Sequence, residues 1–164
     1  MSSLSQEAFV TAVTDGDTIQ VELESGYTIV RLKEIDAPEL DQPFGEKSKQ
    51  VLVSKILGKK VIIEGTEIDR YSRLLSDIKI GNRSICRELV QEGYAWHFKQ
   101  YSNNSQLDAA EKSAIKNRRG LWSDNNPIAP WKFRQQKRND LKNNRSILDH
   151  IKKFINLHFR FFRI

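Results

Sequence analysis

Apolar and polar residues alternate along the first part of the chain in the manner of strands. The apolar side chains recur in three short runs, from Phe9 to Val13, from Ile19 to Leu23 and from Ile29 to Leu32. Asp15-Gly16 and Ser25-Gly26 separate these runs, and such pairs favour tight hairpin turns. The pattern therefore predicts three consecutive antiparallel strands.

The middle of the chain switches between helical and strand patterns. Apolar positions from Phe44 to Leu57 predict a helix, and Gly58 provides its stop signal. Two β-branched runs, Lys60 to Glu64 and Leu74 to Ile80, predict two further strands.

Two more helices are predicted after the last of these strands. The first is a short amphipathic segment from Ile85 to Val90, closed by Gly93. Ser105 followed by Asp108 resembles a capping box, which opens a helix that we expect to run to Gly120.

This order of elements is typical of one architecture. Five short strands with a helix between the third and the fourth match the partly open Greek-key barrel called the OB-fold. The sequence thus predicts an α+β, β-rich domain, with a five-stranded OB-fold barrel and about three α-helices. It contains no internal repeat and no glycine-rich phosphate loop.

Basic residues are concentrated at the C-terminal end of the chain. Of the net charge of +6, residues 131–164 contribute +8 through ten Lys or Arg and two Asp, while residues 1–130 carry 17 basic and 19 acidic residues. Such a tail is typical of binding to nucleic acid or an anionic membrane, and also of a merely solvating segment. Residues 131–145 are mostly polar and are predicted to be a solvated or disordered linker.

The last segment, residues 147–164, is amphipathic when placed on a helical wheel. Its Ile, Leu and Phe positions share one broad arc, and charged and amide side chains occupy the opposite arc. Three interpretations stay open: contact with an anionic membrane, insertion into a groove of a partner protein, or packing against its own domain or a second copy.

Length and cysteine usage narrow the class of protein. A chain of 164 residues suits one domain of ordinary size, and Cys86 alone allows neither an internal disulfide nor a multi-cysteine metal site. His97, His150 and His158 lack metal-ligand spacing. Residues 1–7 lack the features of a secretory signal, so we expect a cytoplasmic protein, with peripheral membrane association through the tail as a further hypothesis.

The segment from Arg31 to Glu39 concentrates the candidate chemistry. Asp36 and Glu39 flank a proline turn at the end of a predicted strand, so both carboxylates can face one site. One of them can hold a cation while the other accepts a proton from water. The alternative is a polar turn in which both acids are only solvated.

Several motifs, in their order along the chain, resemble the staphylococcal nuclease (thermonuclease) family. They are Asp15-Gly16-Asp17-Thr18, Asp36-Ala37-Pro38-Glu39, Asp69-Arg70-Tyr71-Ser72-Arg73, Gly93-Tyr94-Ala95-Trp96, Arg119-Gly120-Leu121-Trp122 and Pro127 to Trp131. The resemblance covers residues 8–131, which we predict to form one domain followed by the tail at 132–164.

The resemblance implies a calcium-dependent nuclease that acts on DNA, and as an open alternative on RNA, with little sequence specificity. Asp17, Asp36 and the backbone carbonyl of Ala37 would bind one Ca²⁺, with Asp15 in an outer position. These are the hard oxygen ligands that calcium prefers. No organic cofactor is expected, and the resemblance implies products with 3′-phosphate and 5′-hydroxyl ends.

The resemblance also implies roles for residues around the phosphate and the base. Glu39 would act as the general base or orient the attacking water, and Arg31 and Arg73 would hold the scissile phosphate. Substrate contacts beyond that phosphate would come from Arg70, Tyr71 and an aromatic that stacks on the base, for which we favour Tyr101 over Trp96.

Two departures from the family pattern affect these implied roles. Ala37 stands where the family's best-known member has threonine, and Ser72 replaces a glycine. If that glycine has a positive φ, serine strains the turn and can shift Arg73. The competing hypothesis is a non-catalytic OB-fold module that binds nucleic acid or protein. Retention of all five implied catalytic and calcium-binding side chains favours the enzyme.

Overall fold

The computed structural model describes residues 5–161, apart from the side chains of residues 150 and 153–161. The chain forms two compact units, of which the first ends at Pro127 and the second begins at Ile128. Within the described part of the chain, no helix combines the length and the apolar character needed to cross a bilayer.

Strands and helices alternate along the described residues. The strands are β1 (Ser5–Val13), β2 (Thr18–Leu23), β3 (Gly26–Leu32), β4 (Ile35–Asp36), β5 (Lys60–Ile68), β6 (Leu74–Ile80), β7 (Arg83–Ser84) and β8 (Trp96–His97). The helices are α1 (Gly45–Ile56), α2 (Ile85–Gln91), α3 (Ser105–Lys116), a 3₁₀ turn (Gly120–Ser123) and α4 (Pro130–Phe161).

The main sheet closes on itself. Its strand order is β3-β2-β1-β5-β6-β7, and a parallel pairing of β3 with β6 completes a barrel of five long strands. The predicted OB-fold barrel is therefore confirmed. The short strands β4 and β8 form a separate pair, in which Asp36 lies opposite Trp96.

The core fills the barrel and the space beneath the helices. Because side chains alternate along a strand, Val30 and Leu32 of β3 are fully buried while Tyr27 and Ile29 are exposed. The other large side chains that are fully buried are Val10, Ile19, Val21, Ile35, Leu52, Ile56, Ile63, Ile78, Ile85 and Leu89. Each such burial contributes about 1.5–3 kcal/mol, and these contacts fix the strand ends that carry the site.

Helices α1, α2 and α3 correspond to the three predicted helices, but the bounds of α3 were wrong. The helix begins after Asn104, whose side chain accepts the N–H groups of Gln106 and Leu107, rather than with a cap at Ser105. It ends at Lys116 and does not continue to Gly120, because Arg118 and Gly120 both have positive φ and turn the chain.

The prediction of a solvated or disordered linker at residues 131–145 was also wrong. One continuous helix, α4, runs from Pro130 to Phe161. Proline suits the first helical position, and Lys, Arg and Gln are good helix formers. The polar composition predicted exposure correctly, because the side chains of residues 135–149 are exposed. The amphipathic arrangement predicted for residues 147–164 falls mostly on side chains outside the described residues.

Candidate active site

Two buried carboxylates and one guanidinium meet where β2, β3 and β4 come together. Asp17 directly precedes β2 and Asp36 ends β4, and their exposed fractions are 6% and 1%. Nη2 of Arg31 lies 2.9 Å from Oδ2 of Asp17 and 3.0 Å from Oδ1 of Asp36. The fold thus brings together three of the predicted site residues from separate segments.

Backbone carbonyl groups fix the other edge of the Arg31 guanidinium. Nη1 donates to the carbonyl oxygens of Leu32 and Ile35. Because Nη1 is held in this way, the charged fork stays next to Asp36. The structure therefore pairs the residue predicted to hold phosphate with the two carboxylates predicted to hold calcium.

A glycine allows the acidic turn to approach the strand end. The carboxylate of Asp15 accepts the N–H of Asp17, and Oδ2 of Asp17 accepts the N–H of Ala37 at 2.6 Å. A Cβ atom on Gly16 would lie 2.6 Å from the Cβ of Ala37, which real side chains do not tolerate. Asp15-Gly16 is therefore more than a hairpin signal, because Gly16 also permits a contact with Ala37 that no local pattern indicates.

Burial raises the pKa of Asp17 to about 7, although the charge of Arg31 acts in the opposite direction. The neighbouring carboxylates of Asp15 and Asp36 add to the increase. Two carboxylates thus share one guanidinium, with the carboxylate of Asp15 nearby, and all three offer hard oxygen atoms. A donor set of this kind, with an excess of negative charge, fits a calcium ion.

Glu39 follows this cluster on the segment that leads into α1. Its N–H donates to Oε1 of Gln42 at 3.2 Å, and the N–H of Gln42 donates back to the Glu39 carbonyl at 2.8 Å. A Cβ on Gly45 would lie 1.8 Å from that carbonyl oxygen, so only glycine fits there. Gly45 marks this turn in the sequence, but it was not among the residues predicted to shape the site.

Arg73 lies after the turn between β5 and β6, where Asp69 holds it. Nε and Nη2 of Arg73 lie 2.8 and 2.7 Å from Oδ2 of Asp69, while Oδ1 accepts the N–H groups of Tyr71 and Arg73. Burial alone would raise the pKa of Asp69, but the hydrogen bonds from Arg73 outweigh it and lower that pKa. Asp69 was part of the recognised motif, but the sequence assigned it no role.

The exposed ring of Tyr71 lies between two guanidinium groups. Cζ of Arg70 lies 4.9 Å from the ring centroid and Cζ of Arg73 lies 5.3 Å from it, within the range of cation–π contacts. Ser72 has a φ of +61°, so its backbone is in the left-handed conformation that was predicted to strain a serine at this position. Arg73 nevertheless keeps its ion pair with Asp69.

The pairing of β3 with β6 brings the two groups of site residues to neighbouring strands. Arg31 lies opposite Leu75, and Arg73 directly precedes β6, two residues before Leu75 in the chain. Leu74 and its partner Val30 point inward. The pairing therefore brings the chain segments that carry the two predicted phosphate-binding arginines next to each other.

The aromatic residues near β8 divide into packed and exposed side chains. The Trp96 ring lies 4.3 Å from the Trp122 ring, edge to face, so it packs within the domain. Tyr101 is 72% exposed and makes an edge contact with Phe98. Of the two aromatics considered for base stacking, Tyr101 is the one whose ring is available to a ligand.

A second group of possible metal ligands lies under β8. His97, Asp108 and Glu111 each offer one ligand atom, and these three atoms lie within 4.8 Å of one another. The ammonium group of Lys99 already bridges the two carboxylates, at 3.0 Å from Asp108 and 2.8 Å from Glu111. His97 is 3% exposed and shares a hydrogen bond with Ser102. We assign this cluster a structural role. It joins β8 to α3 and so holds in place the strand that pairs with Asp36.

The comparisons with known proteins agree with this architecture. Residues 29–124 match the family described as "Staphylococcal nuclease homologue". The chain is 40% identical over 130 residues to an "uncharacterized endonuclease" of Haemophilus influenzae, covering 79% of this chain and 73% of that protein.

Two further relatives are nucleases by name. The chain is 36% identical over 141 residues to a "micrococcal nuclease" of Shigella flexneri, covering 79% of this chain and 81% of that protein. It is 39% identical over 110 residues to a "probable staphylococcal-like nuclease" of Oryza sativa, covering 67% of this chain but only 30% of that protein. Together with the barrel and its ordered motifs, these matches establish that the chain belongs to the staphylococcal nuclease family.

Proposed function

We propose that this protein is a calcium-dependent nuclease that hydrolyses phosphodiester bonds of DNA, and of RNA, with little sequence specificity. The observation that carries the proposal is the convergence of buried Asp17 and Asp36 on Arg31, with Glu39 on the same segment as Asp36. Family membership and the nuclease names of the relatives support it.

Asp17 and Asp36 would hold the calcium ion, with the Ala37 carbonyl as a further ligand and Asp15 in an outer position. When bound, Ca²⁺ supplies positive charge at a phosphate oxygen and accepts water among its ligands. The raised pKa of Asp17 supports this assignment, because a cation offsets the cost of burying that carboxylate.

The arginines would stabilise the charge that develops on the phosphate. Arg31 and Arg73 lie on neighbouring segments of the chain, and their planar guanidinium forks, held by carboxylates in this structure, suit two-point contact with phosphate oxygens. Interactions that strengthen as charge develops lower the barrier more than they lower the energy of the bound substrate. Arg70, Tyr71 and Tyr101 would contact the neighbouring phosphate and a base.

Glu39 would accept the proton of the attacking water or orient that water. The carboxylate is half-buried, and its backbone is fixed to Gln42 on the turn that follows Asp36. Attack with departure of the 5′-oxygen would leave 3′-phosphate and 5′-hydroxyl ends.

The test is cleavage of labelled single-stranded DNA, duplex DNA and RNA, with calcium or with a chelator. We expect cleavage in calcium only, and a loss of about 10²- to 10⁴-fold in rate for Glu39→Gln. Glu46→Gln is the matched control, because Glu46 is exposed in the first turn of α1 and should leave the rate unchanged.

Two outcomes would contradict this mechanism. Cleavage that survives chelation would remove calcium from it, and full activity of Glu39→Gln would remove Glu39. If the protein binds nucleic acid in a salt-sensitive manner but does not cleave it, the competing hypothesis of a binding module is correct.

A further inference from the structure

The outer face of β3 carries exposed apolar side chains that lead away from the phosphate-binding arginines. Tyr27 is 66% exposed and Ile29 is 46% exposed, and Arg31 ends the same alternating row. We call Tyr27 and Ile29 the β3 platform. An exposed tyrosine and isoleucine in one row form a small apolar surface on the strand that carries Arg31.

The strand register makes the β3 platform continuous with the site. Val30 and Arg31 pair with Leu74 and Leu75 in the parallel pair, and Arg73 directly precedes Leu74 in the chain. The exposed Ile29 directly precedes Val30 on β3. The exposed ring of Tyr71 lies on the turn before β6, in cation–π contact with Arg70 and Arg73. Apolar surface therefore borders the phosphate-binding groups along β3 and at the β5–β6 turn.

The charge next to the platform indicates which part of a nucleic acid it contacts. Glu22 lies opposite Tyr27 on β2 and is exposed, so phosphate groups are not attracted to this end of the strand. A base has no charge and stacks on an aromatic ring whatever its identity. The platform suits bases, while the arginines suit phosphates.

We propose that single-stranded nucleic acid continues from the phosphate site along β3, with unpaired bases against Ile29 and Tyr27. This inference rests on the proposed nuclease function and extends its substrate to a strand longer than the nucleotides at the scissile bond. Tyr27 lies four residues from Arg31, which is about 13 Å along a strand. Bases in a duplex are already stacked on each other, so the platform selects unpaired strands.

The test compares binding of two fluorescent probes, a single-stranded DNA of about twelve nucleotides and a dinucleotide. Binding is measured by fluorescence anisotropy in the presence of a chelator, so that neither probe is cleaved. Tyr27→Thr removes the ring and keeps a residue that suits strands. We expect it to weaken binding of the longer strand by about 5- to 100-fold, and binding of the dinucleotide by less than about twofold. Tyr27→Phe should bind as the wild type does.

The salt dependence of binding separates stacking from charge. Tyr27→Thr should leave the slope of log K against log[salt] unchanged, whereas Arg70→Ala should reduce it by about 0.7 for a single strand. Ile115→Ala is the control for loss of exposed apolar surface, because Ile115 is 46% exposed on α3 and lies outside the site.

The inference is overturned if Tyr27→Thr binds the longer strand as tightly as the wild type does. It is also overturned if the substitution weakens binding of the dinucleotide as much as binding of the longer strand, or if the wild type binds neither probe. It is also overturned if sedimentation shows a wild-type dimer that Tyr27→Thr dissociates, because the platform would then be an interface between two copies. Failure of the wild type to cleave in calcium contradicts the proposed function, and the binding comparison still decides the inference about β3.

Discussion

Asp17 places a carboxyl group in a site that is almost closed to solvent. Its exposed fraction is 6%, and burial raises its pKa to about 7 from an ordinary value of 3.8. In the unfolded chain the carboxyl ionises freely above its ordinary pKa, while in the fold it keeps its proton up to about pH 7. The stability of the fold therefore falls as pH rises from about 4 to about 7.

Asp17→Asn should stabilise the protein against urea at pH 7 in the presence of a chelator. The gain should be on the order of 1 to 3 kcal/mol, because each tenfold change in proton affinity corresponds to about 1.4 kcal/mol and loss of the Arg31 ion pair offsets part of it. At pH 4 most of the gain should be lost, because the folded wild type then holds the proton and the carboxyl of the unfolded chain, with its ordinary pKa of 3.8, is about half protonated.

The matched control is Asp124→Asn, because Asp124 is exposed and its Oδ1 accepts a backbone N–H that an amide oxygen also accepts. Added calcium should stabilise the wild type more than Asp17→Asn if Asp17 is a ligand. A gain that is the same at pH 4 and pH 7 would contradict this account of Asp17.

At the scale of elements, the turn between β5 and β6 shows how one carboxylate can organise a loop. Asp69 accepts two backbone N–H groups and forms an ion pair with Arg73 across the same turn. Ser72, between Tyr71 and Arg73, has a left-handed backbone that glycine would adopt with less strain. The fold keeps Arg73 in place through Asp69 despite that strain.

Asp69→Asn should lower the rate of cleavage by about 10- to 100-fold, because Arg73 loses its charged partner and catalysis is sensitive to displacements of about 1 Å. Ser72→Gly should change the rate by less than about twofold. Its effect on unfolding should also be small, because relief of about 1–2 kcal/mol of backbone strain is largely offset by the flexibility of glycine in the unfolded chain.

The measurements are kcat and KM on one oligonucleotide, and urea unfolding of each variant. Asp124→Asn again serves as the control for an Asp-to-Asn change outside the site. A large gain in rate for Ser72→Gly would show that serine displaces Arg73, contrary to this prediction. Full activity of Asp69→Asn would show that Arg73 needs no anchor.

At the scale of the whole molecule, charge is divided between the two parts of the chain. Residues 131–164 carry a net charge of +8, and residues 1–130 carry −2. The described side chains of residues 135–149 are exposed on α4, where they can meet a polyanion. We propose that the tail supplies long-range attraction to nucleic acid or to an anionic membrane.

Deletion of residues 132–164 should weaken binding of single-stranded DNA and reduce the slope of log K against log[salt]. The same deletion should reduce binding to vesicles that contain anionic lipid only if the tail also contacts membranes. Sedimentation, circular dichroism and calcium binding of the shortened chain control for its fold and its metal site. Unchanged binding to both partners would contradict the proposal and leave the tail as a folding or oligomer surface.

The sequence by itself predicted the barrel, because strand formation depends on alternation of side chains and on turn residues that can be read locally. Leu74–Ile80 forms a strand with the predicted bounds, and the predicted helices appear as α1, α2 and α3. The candidate site residues were predicted from the motifs that resemble the staphylococcal nuclease family, and their roles remain predictions, although the fold does bring Asp17 and Asp36 against Arg31. The prediction of a linker at residues 131–145 was wrong, because a polar composition predicts exposure but does not decide between helix and coil.

Only the tertiary structure decided how these residues act on each other. Three sets of contacts join segments that are distant in the chain or unrelated in pattern. They are the convergence of Asp17 and Asp36 on Arg31, the contacts that require Gly16 and Gly45, and the pairing of Arg31 with Leu75. Such contacts depend on barrel closure between β3 and β6 and on close packing. A sequence pattern specifies which face a residue occupies, whereas closure of the barrel specifies which residues meet there.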